Sequence, residues 1–289
     1  MTDITDLVRR LADRAPDSHK GSFGRLVIYA GSENMTGCLV LAVQGALRSG
    51  AGLVEAASVK PALDVLKICA PEAVCTPLTG DLSADAGMLL KRLGAASAFA
   101  AGPGLCAGDT RGARGAALAE LIRAVADGTS VPCVLDADAL SAVGRDTGIL
   151  RAFGGRAVVT PHPGELSKLT GVSAADIQND RERMCREFAA SAGCVCLLKG
   201  HGTVISDGEN VAVNPTGNPY MARGGSGDVL TGIVGALLAQ GFAPFDAARL
   251  GALIHGAAGD LAAKDLGIAA LPSDLPFRIG RALTELMGI

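Results

Sequence analysis

The chain is poor in aromatic side chains and lacks any run of basic residues. Its 289 residues include no tryptophan, two tyrosines and seven phenylalanines. The formal net charge is −3 with a pI near 5.8, and no Lys/Arg cluster is interleaved with aromatic residues. Surfaces that bind nucleic acid are typically basic. We therefore expect no nucleic-acid partner.

Signals for secretion or membrane insertion are also lacking. The first ten residues include two aspartates, where a signal peptide carries only positive charge, and no apolar segment of the required kind follows. No uninterrupted apolar run is long enough to span a bilayer. These features predict a cytoplasmic protein with no membrane partner.

The eight cysteines show no CxxC spacing and lie mostly within apolar segments, which favours buried, reduced thiols. Cys194 and Cys196 would share one face of a strand. No histidine or further cysteine accompanies them at ligand spacing, so we predict no protein-built metal centre there.

Short apolar segments alternate with helical patterns along most of the chain. Strands are predicted at 26–30, 53–57, 98–101, 133–136, 157–160 and 195–198, and helices at 4–11, 36–49, 112–126, 174–190, 228–240, 245–263 and 273–287. This alternation is typical of a mostly parallel central β-sheet flanked by helices on both faces. Segments 203–206 and 211–213, separated by Asp207-Gly208, predict a small β-hairpin. Because no linker-like tract or repeat interrupts the pattern, we expect residues 1–289 to form a single domain.

Polar and glycine-rich loops follow several of the predicted strands. In an open α/β sheet, ligands bind beyond the carboxyl ends of the parallel strands. We therefore expect loops 101–105, 136–138, 160–165 and 199–203 to form one site together with the stretch 218–228. Loop 199–203 presents a lysine and exposed amides, which suit phosphate.

The most informative stretch is Gly224-Gly-Ser-Gly-Asp228, which leads into an apolar helix. Its glycines let a ligand approach the backbone, and the helix beyond offers unpaired amides and the positive end of its dipole to a phosphate. Asp228 has two interpretations, a helix N-cap or a general base that takes a proton from an attacking hydroxyl. The base is favoured, because an N-cap requires neither three glycines nor a buried helix.

Other polar side chains leave alternatives open. Asp136 and Asp138 would either cap a short helix at 139–143 or reach a metal. His162, placed between two prolines, favours ligand contact, whereas His255 lies within an Ala/Gly-rich helix and favours a structural role.

Three nucleotide or nucleophile motifs are disfavoured. Residues 102–107 match GxGxxA, but the match follows a middle strand and contains Pro103, which argues against a nicotinamide Rossmann site. No GxxxxGK[ST] occurs, so Lys199 is not a Walker lysine. The segment 224–228 ends in Asp228 rather than glycine, so it does not match the GxSxG motif, and this argues against a serine hydrolase.

Several motifs together resemble the ADP-dependent NAD(P)H-hydrate dehydratase family. They occur in the family's order over nearly the whole chain: His19-Lys-Gly-Ser-Phe-Gly24, Ala101-Gly-Pro-Gly104, Thr160-Pro-His-Pro-Gly-Glu165, Lys199-Gly-His-Gly-Thr203 and residues 214–232. The resemblance implies a ribokinase-like α/β fold. It also implies ADP-dependent dehydration of (S)-NADHX and (S)-NADPHX to NADH and NADPH, giving AMP and phosphate, a repair reaction.

The resemblance also assigns ligand contacts, which are expectations at this point. It assigns the adenine nucleotide to Lys199, Gly200, His201, Gly202, Thr203 and Gly227, and the hydrated dinucleotide to Leu39, Gly104, His162 and Asp228. Amides near Gly225, Ser226 and Gly227 are expected to stabilise the transferring phosphoryl group, with Asp228 as the catalytic base. Mg²⁺ is expected because such transfers usually need a cation.

The resemblance further implies a homo-oligomer, by analogy a tetramer. Tyr220 and Arg223 depart from the family pattern, in which a glycine and a Thr or Lys are usual, and this bears on the width of the nucleotide loop. No epimerase-like domain, which many members carry fused, is expected ahead of this one. A small-molecule kinase of the same fold, for a vitamin precursor or sugar, and a non-catalytic adenine-nucleotide sensor remain as other possibilities.

Overall fold

The protein is described by a computed structural model that covers residues 2–106, 108–110 and 112–288. Ala107, the last position of the GxGxxA match, lies outside the described residues. The strands are β1 Arg25–Tyr29, β2 Leu53–Val59, β3 Val74–Leu78, β4 Ala98–Ala101, β5 Cys133–Leu135, β6 Ala157–Val159, β7 Val195–Leu198, β8 Val204–Ser206 and β9 Val211–Val213. The helices are α1 Ile4–Ala12, α2 Gly37–Arg48, α3 Lys60–Cys69, α4 Leu82–Leu93, α5 Ala113–Gly128, α6 Asp138–Val143, α7 Gly148–Arg151, α8 Pro163–Thr170, α9 Ala174–Asn179, α10 Arg181–Ala192, α11 Ser226–Ala239, α12 Pro244–Leu266 and α13 Ile279–Met287.

All of these strands join one sheet in the order β3-β2-β1-β4-β5-β6-β7-β8-β9. The strands from β3 to β7 pair in parallel, and β8 and β9 add an antiparallel hairpin at one edge. The predicted mostly parallel sheet with a small hairpin is therefore confirmed. The carboxyl ends of β1 to β7 all lie at the same edge.

Both faces of the sheet are covered, as alternate residues of β1 show. Leu26 and Ile28 pack into a core with α1 to α3 and α11 to α13, whereas Val27 and Tyr29 pack into a second core with α4 to α10. A side-chain period of two places successive residues on opposite faces. Strands buried on both faces carry continuous apolar runs, which is why they were visible in the sequence.

Some elements differ from the prediction. Strand β3 and helices α3, α4, α7 and α8 were not predicted. Strand β3 lies at the edge of the sheet and contains Pro77, and proline is tolerated at edges because it cannot donate to the ladder. The predicted helix 174–190 is two helices, since Asp180 ends α9 and its side chain accepts from the Arg183 amide at the start of α10. The predicted helix 273–287 begins with 3₁₀ turns and becomes α-helical only at α13.

Helix α11 packs against α2 by direct backbone contact. A β-carbon at Gly232 would lie 1.9 Å from the carbonyl oxygen of Ala42, and one at Gly45 would lie 2.6 Å from that of Val229. Every residue from 229 to 239 is buried. Glycines thus allow the two helices to approach closely, and this packing fixes the amino end of α11 at the carboxyl edge of the sheet.

A buried ion cluster lies on β2. Glu55 is fully buried; its Oε1 accepts from Thr76 Oγ1 and Arg92 Nε, both at 2.5 Å, and its Oε2 accepts from Arg25 Nε at 3.0 Å. Burial alone would raise the pKa of Glu55, but the bonds from Arg92, Thr76 and Arg25 outweigh it and hold the pKa below its usual value. This carboxylate therefore ties β1, β2, β3 and α4 together while ionised.

The eight cysteines are free thiols, of which five are buried: Cys106, Cys133, Cys185, Cys194 and Cys196. The expectation that most of the thiols are buried is confirmed. Among the described residues, no helix has the length and hydropathy needed to cross a membrane.

Candidate active site

The glycine-rich stretch forms the amino end of α11. Gly225 is the N-cap with φ of +103°, a backbone conformation that favours glycine, and a β-carbon there would lie 2.6 Å from Leu41 Cδ1. The helix begins at Ser226, so Asp228 is its third residue rather than its cap. The N-cap interpretation of Asp228 is therefore wrong, and its carboxylate is free for another role.

Asp228 has an unusual proton affinity. Burial raises its pKa to about 6, the negative charge of Asp136 adds to the increase, and Lys199 opposes it. Asp228 in turn helps burial to raise the pKa of the Cys38 thiol to about 12. A carboxylate with a pKa of about 6 is ionised at neutral pH and accepts a proton more readily than an ordinary aspartate does.

Lys199 and Asp136 form an ion pair beneath the glycine-rich stretch. Lys199 Nζ lies 2.8 Å from Asp136 Oδ1 and 3.5 Å from Glu165 Oε2, and Thr231 Oγ1 donates to Asp136 Oδ2 at 2.9 Å. Burial alone would lower the pKa of Lys199, but Asp136 and Glu165 outweigh it and the pKa is raised. A β-carbon at Gly227 would lie 3.4 Å from Lys199 Nζ, so the backbone of α11 rests on this pair.

The structure also resolves the alternatives for the two aspartates after β5. Helix α6 begins at Asp138, its N-cap is Ala137, and no side chain caps it. Capping by either aspartate is therefore wrong. Asp136 instead pairs with Lys199, and Asp138 Oδ2 accepts from the Cys106 amide at 2.8 Å. Ala137 has φ of +49°, which is strained for a non-glycine residue, and it lies between these two acids.

His162 lies at the start of α8, where it and Glu165 form a capping box. His162 Nδ1 accepts from the amides of Gly164 and Glu165 at 3.0 and 3.3 Å, and Glu165 Oε2 accepts from the His162 amide at 2.8 Å. The His162 side chain is 56% exposed. Its imidazole therefore lies at the surface of the site rather than in the core.

A cavity of about 740 Å³ opens beside these groups, a volume in the range of small-molecule sites. Most of the residues predicted to bind nucleotide line it: Lys199, Gly200, His201, Gly202, Thr203, Ser226 and Gly227, together with His162. The predicted convergence of loops 160–165 and 199–203 on the glycine-rich stretch is thus seen in the structure. Gly225 is placed at the N-cap of α11, adjoining this wall.

The cavity also includes Asn218 and Arg223 from the predicted stretch 218–228, and Asn214, Thr216 and Leu230 from the motif at 214–232. Ala252 and Gly256, both on α12, were not singled out from the sequence. His255 also lines the cavity. Burial and the charge of Lys199 lower its pKa to about 4, and its Nε2 lies 2.9 Å from the Ser226 carbonyl oxygen.

Two of the predicted substrate contacts, Gly104 and Leu39, do not line this cavity, whereas His162 does. Gly104 has φ of +70°, and a β-carbon there would lie 2.6 Å from Cys38 Sγ. The Gly31 amide donates to the Pro103 carbonyl at 2.8 Å and joins the loops after β1 and β4. Leu39 is completely buried, so its side chain presents no surface to a ligand, and a contact there would need its backbone or a rearrangement.

The two departures from the family pattern lie near the cavity mouth. Tyr220 is 45% exposed, in a 3₁₀ turn. Arg223 lines the cavity, and its guanidinium donates to the Ile268 carbonyl. Arg223 therefore joins the glycine-rich stretch to the segment after α12.

The described residues hold no group of three or more His, Cys, Asp and Glu side chains placed to bind a metal ion. Mg²⁺ ordinarily keeps several waters and uses one or two carboxylates together with substrate phosphates. Glu165, which contacts the cavity residue Lys199, and Asp228, which follows the cavity residue Gly227, fit that limited role.

Comparisons with known proteins agree on one family. A family model for NAD(P)H-hydrate dehydratase matches residues 26–281. A bifunctional NAD(P)H-hydrate repair enzyme from Moorella thermoacetica is 44% identical over 269 residues, covering 91% of this chain and 49% of that protein. An ADP-dependent (S)-NAD(P)H-hydrate dehydratase from Neisseria meningitidis is 39% identical over 260 residues, covering 89% of this chain and 83% of that protein.

Solved structures show the same fold. An ADP/ATP-dependent NAD(P)H-hydrate dehydratase from Bacillus subtilis, co-crystallised with ATP and Mg²⁺, has a TM-score of 0.84 and 31% identity, covering 98% of this chain and 97% of that one. A ribokinase-like superfamily protein from Enterococcus faecalis has a TM-score of 0.80 and 25% identity, covering 98% and 94%. The predicted ribokinase-like fold is confirmed.

The chain spans about half the length of several curated relatives, including the bifunctional enzyme of Moorella thermoacetica, but most of the length of the Neisseria meningitidis protein. The family model covers residues 26–281, which is most of the length of this chain. The chain belongs to the NAD(P)H-hydrate dehydratase family.

Proposed function

We propose that this protein catalyses the ADP-dependent dehydration of (S)-NADHX and (S)-NADPHX to NADH and NADPH, releasing AMP and phosphate. The observation that carries the proposal is the placement of Asp228. This carboxylate, with a pKa raised to about 6, lies in the first turn of a glycine-capped helix and directly follows Gly227, which lines the cavity together with Lys199. Family membership supplies the substrate class, and a relative at 39% identity is described as ADP-dependent.

The nucleotide is held by loop 199–203 and the amino end of α11. Lys199 is anchored by Asp136 and Glu165, so its ammonium group is fixed in place before the nucleotide binds. The first amides of α11 have no partners within the helix and favour an anion. The diphosphate of ADP therefore lies against Gly225, Ser226 and Gly227, with the adenosine in the cavity.

Asp228 acts as the general base. Hydroxide leaves the hydrated ring poorly, whereas a phosphate ester leaves well. Asp228 accepts the proton of the ring hydroxyl while the hydroxyl oxygen forms a bond to the β-phosphorus of ADP and the bond between that phosphorus and AMP breaks. Asp228 contacts the hydroxyl, and Gly104, His162 and the loop that follows β1 surround the dinucleotide, with Leu39 behind them.

Elimination then completes the reaction. The lone pair of the ring nitrogen forms a new π bond as the carbon–oxygen bond breaks, and the substrate oxygen departs within inorganic phosphate. The loss of a neighbouring ring proton restores the dihydronicotinamide. The amides of Gly225, Ser226 and Gly227 stabilise charge on the phosphoryl group throughout.

Mg²⁺ fits the site as an ion carried by the nucleotide phosphates, with Glu165 and Asp228 as the adjoining carboxylates. When bound, it would neutralise phosphate charge during transfer. The B. subtilis relative was crystallised with ATP and Mg²⁺, which supports both the ion and the use of ATP as an alternative phosphoryl donor.

The protein is also proposed to assemble as a homo-oligomer, by family analogy a tetramer, which light scattering would test.

One assay tests the function against its competitors. The protein is incubated with NADHX, Mg²⁺ and either ADP or ATP while absorbance at the NADH maximum is followed. Return of NADH supports the dehydratase. Consumption of nucleotide with a stable phosphorylated product would instead indicate a small-molecule kinase, and tight ADP binding without consumption would indicate a nucleotide sensor.

A further inference from the structure

Arg181, the first residue of α10, contacts the backbone on which the nucleotide loop is built. Its Nη2 donates to the carbonyl oxygens of Leu198 at 2.9 Å, Lys199 at 3.4 Å and Gly202 at 3.5 Å, and its Nη1 donates to Gln178 Oε1 at 2.6 Å. Within the described residues, no Asp or Glu forms an ion pair with Arg181. The guanidinium is therefore committed to the backbone of the segment 198–202.

Arg181 occupies carbonyl acceptors of this loop, whereas several amide donors of the same loop stay unpaired. Two further carbonyls also have partners, since Gly200 O accepts from Thr203 Oγ1 at 2.9 Å and Thr203 O accepts from the Asn214 amide at 2.8 Å. The amides of Gly200, His201 and Gly202 donate to no acceptor in the described part of the chain. All three residues line the cavity. The loop thus offers three unpaired N–H groups, while the carbonyls of Lys199, Gly200, Gly202 and Thr203 are occupied elsewhere.

The loop sequence is adapted to the arginine. Gly200 has φ of +143°, and a β-carbon there would lie 2.9 Å from Arg181 Nη1. A side chain at position 200 would displace the guanidinium. Arg181 Nε is also buried without a described partner, and burial lowers the pKa of Arg181. Burying a cation without a carboxylate costs stability, so a role beyond packing is indicated.

We propose that Arg181 is a positioning residue for nucleotide binding, which holds the carbonyls of the segment 198–202 so that the amides of Gly200, His201 and Gly202 stay directed at an adenine nucleotide in the cavity. The inference rests on the proposed function only for the identity of that nucleotide. Arg181 itself contacts neither the nucleotide nor the reacting atoms.

The test compares Arg181→Ala with Arg183→Ala in the full chain. Arg183 belongs to the same helix, but it pairs with Asp180 and Glu187 at the exposed surface, so it controls for loss of an arginine from α10. The dissociation constant of ADP is measured by calorimetry, and the thermal midpoint of each variant checks its folding. Arg181→Ala should bind ADP about tenfold to about a hundredfold more weakly, the range expected for hydrogen bonds from a charged donor. Arg183→Ala should bind ADP as the parent protein does.

Two further measurements separate positioning from general destabilisation. Arg181→Lys keeps the charge but loses the fork of donors, so its affinity should lie between those of the parent and Arg181→Ala. Ethylguanidinium added to Arg181→Ala should restore part of the affinity. A folded Arg181→Ala that binds ADP within about twofold of Arg183→Ala would overturn the proposal.

If Arg181→Ala does not fold, the ADP affinity of Arg181→Lys is compared with that of Arg183→Ala, and equal affinities would overturn the proposal. In steady state, the KM for ADP should rise while kcat changes little, because the residue acts on binding. Since calorimetry needs no turnover, a protein that binds ADP but leaves NADHX unchanged would refute the proposed function and still test the role of Arg181.

Discussion

Replacing Asp228 by asparagine tests the proposed base with the least disturbance of the fold. The two side chains have nearly the same shape, and no hydrogen bond joins the Asp228 side chain to another described residue. General-base catalysis typically contributes between about a hundredfold and about ten-thousandfold in rate. We expect Asp228→Asn to lower kcat by that range. ADP should bind as tightly as before or more tightly, because a negative charge near its phosphates is removed.

The same substitution should stabilise the protein above neutral pH. The pKa of Asp228 is raised from 3.8 to about 6 in the folded state, so folding favours its protonated form. A difference of about two pKa units corresponds to about 3 kcal/mol, the upper limit of the destabilisation by the ionised carboxylate. That destabilisation is absent below pH 3.8, the pKa of Asp228 in the unfolded state, and is complete above about pH 6, its pKa in the folded state. Asp228→Asn should therefore raise the free energy of unfolding at pH 8 and lose this advantage as the pH falls towards 4.

The assays are NADH formation from NADHX, calorimetric ADP binding and urea unfolding at pH 8 and pH 4. In the parent protein, kcat/KM should fall as the pH drops through about 6, because the base becomes protonated. Asp127→Asn, at an exposed position of α5, is the matched control and should change none of these quantities. An Asp228→Asn variant that keeps more than about a tenth of the parent kcat would refute the base assignment.

Three further substitutions test other parts of the account. Lys199→Met should abolish detectable ADP binding and lower the free energy of unfolding by about 3–5 kcal/mol, because Asp136 is left buried without its cation; unchanged calorimetry would contradict this role. Gly232→Ala should lower the free energy of unfolding, measured in urea, by about 1–3 kcal/mol or more, because its methyl group would lie 1.9 Å from the Ala42 carbonyl oxygen. An unchanged free energy would contradict the close packing of α11 on α2. Glu55→Gln should cost about 3–5 kcal/mol at pH 7. Because the pKa of Glu55 is lowered from 4.5, that cost should shrink as the pH falls below 4.5, and a cost independent of pH would refute the ionised cluster.

Local pattern was sufficient to predict much of the fold. Strands such as β1 and β7 are buried on both faces and appear as unbroken apolar runs. Edge strand β3 gives no such signal, because half of it faces solvent and Pro77 interrupts its propensity. The division of 174–190 at Asp180 depends on a capping bond that competes with an otherwise continuous helical pattern.

The loops of the site were also visible, because polar and glycine-rich residues follow strands whose ends must share an edge. What the sequence did not show is how these residues pair. The bond from Lys199 to Asp136 joins positions 63 apart, and the contacts of Arg181 depend on where α10 begins. The exact start of α11 decided whether Asp228 caps the helix or stands free, and such boundaries depend on tertiary packing rather than local preference.

The fate of the substrate oxygen tests the central claim most directly. NADHX labelled with ¹⁸O in its ring hydroxyl would be converted with ADP and Mg²⁺, and the products separated for mass spectrometry. If Asp228 activates that hydroxyl to attack the β-phosphorus, the label must appear in inorganic phosphate, with one AMP formed for each NADH. Label recovered in water, or NADH formed without AMP, would contradict phosphoryl transfer before elimination.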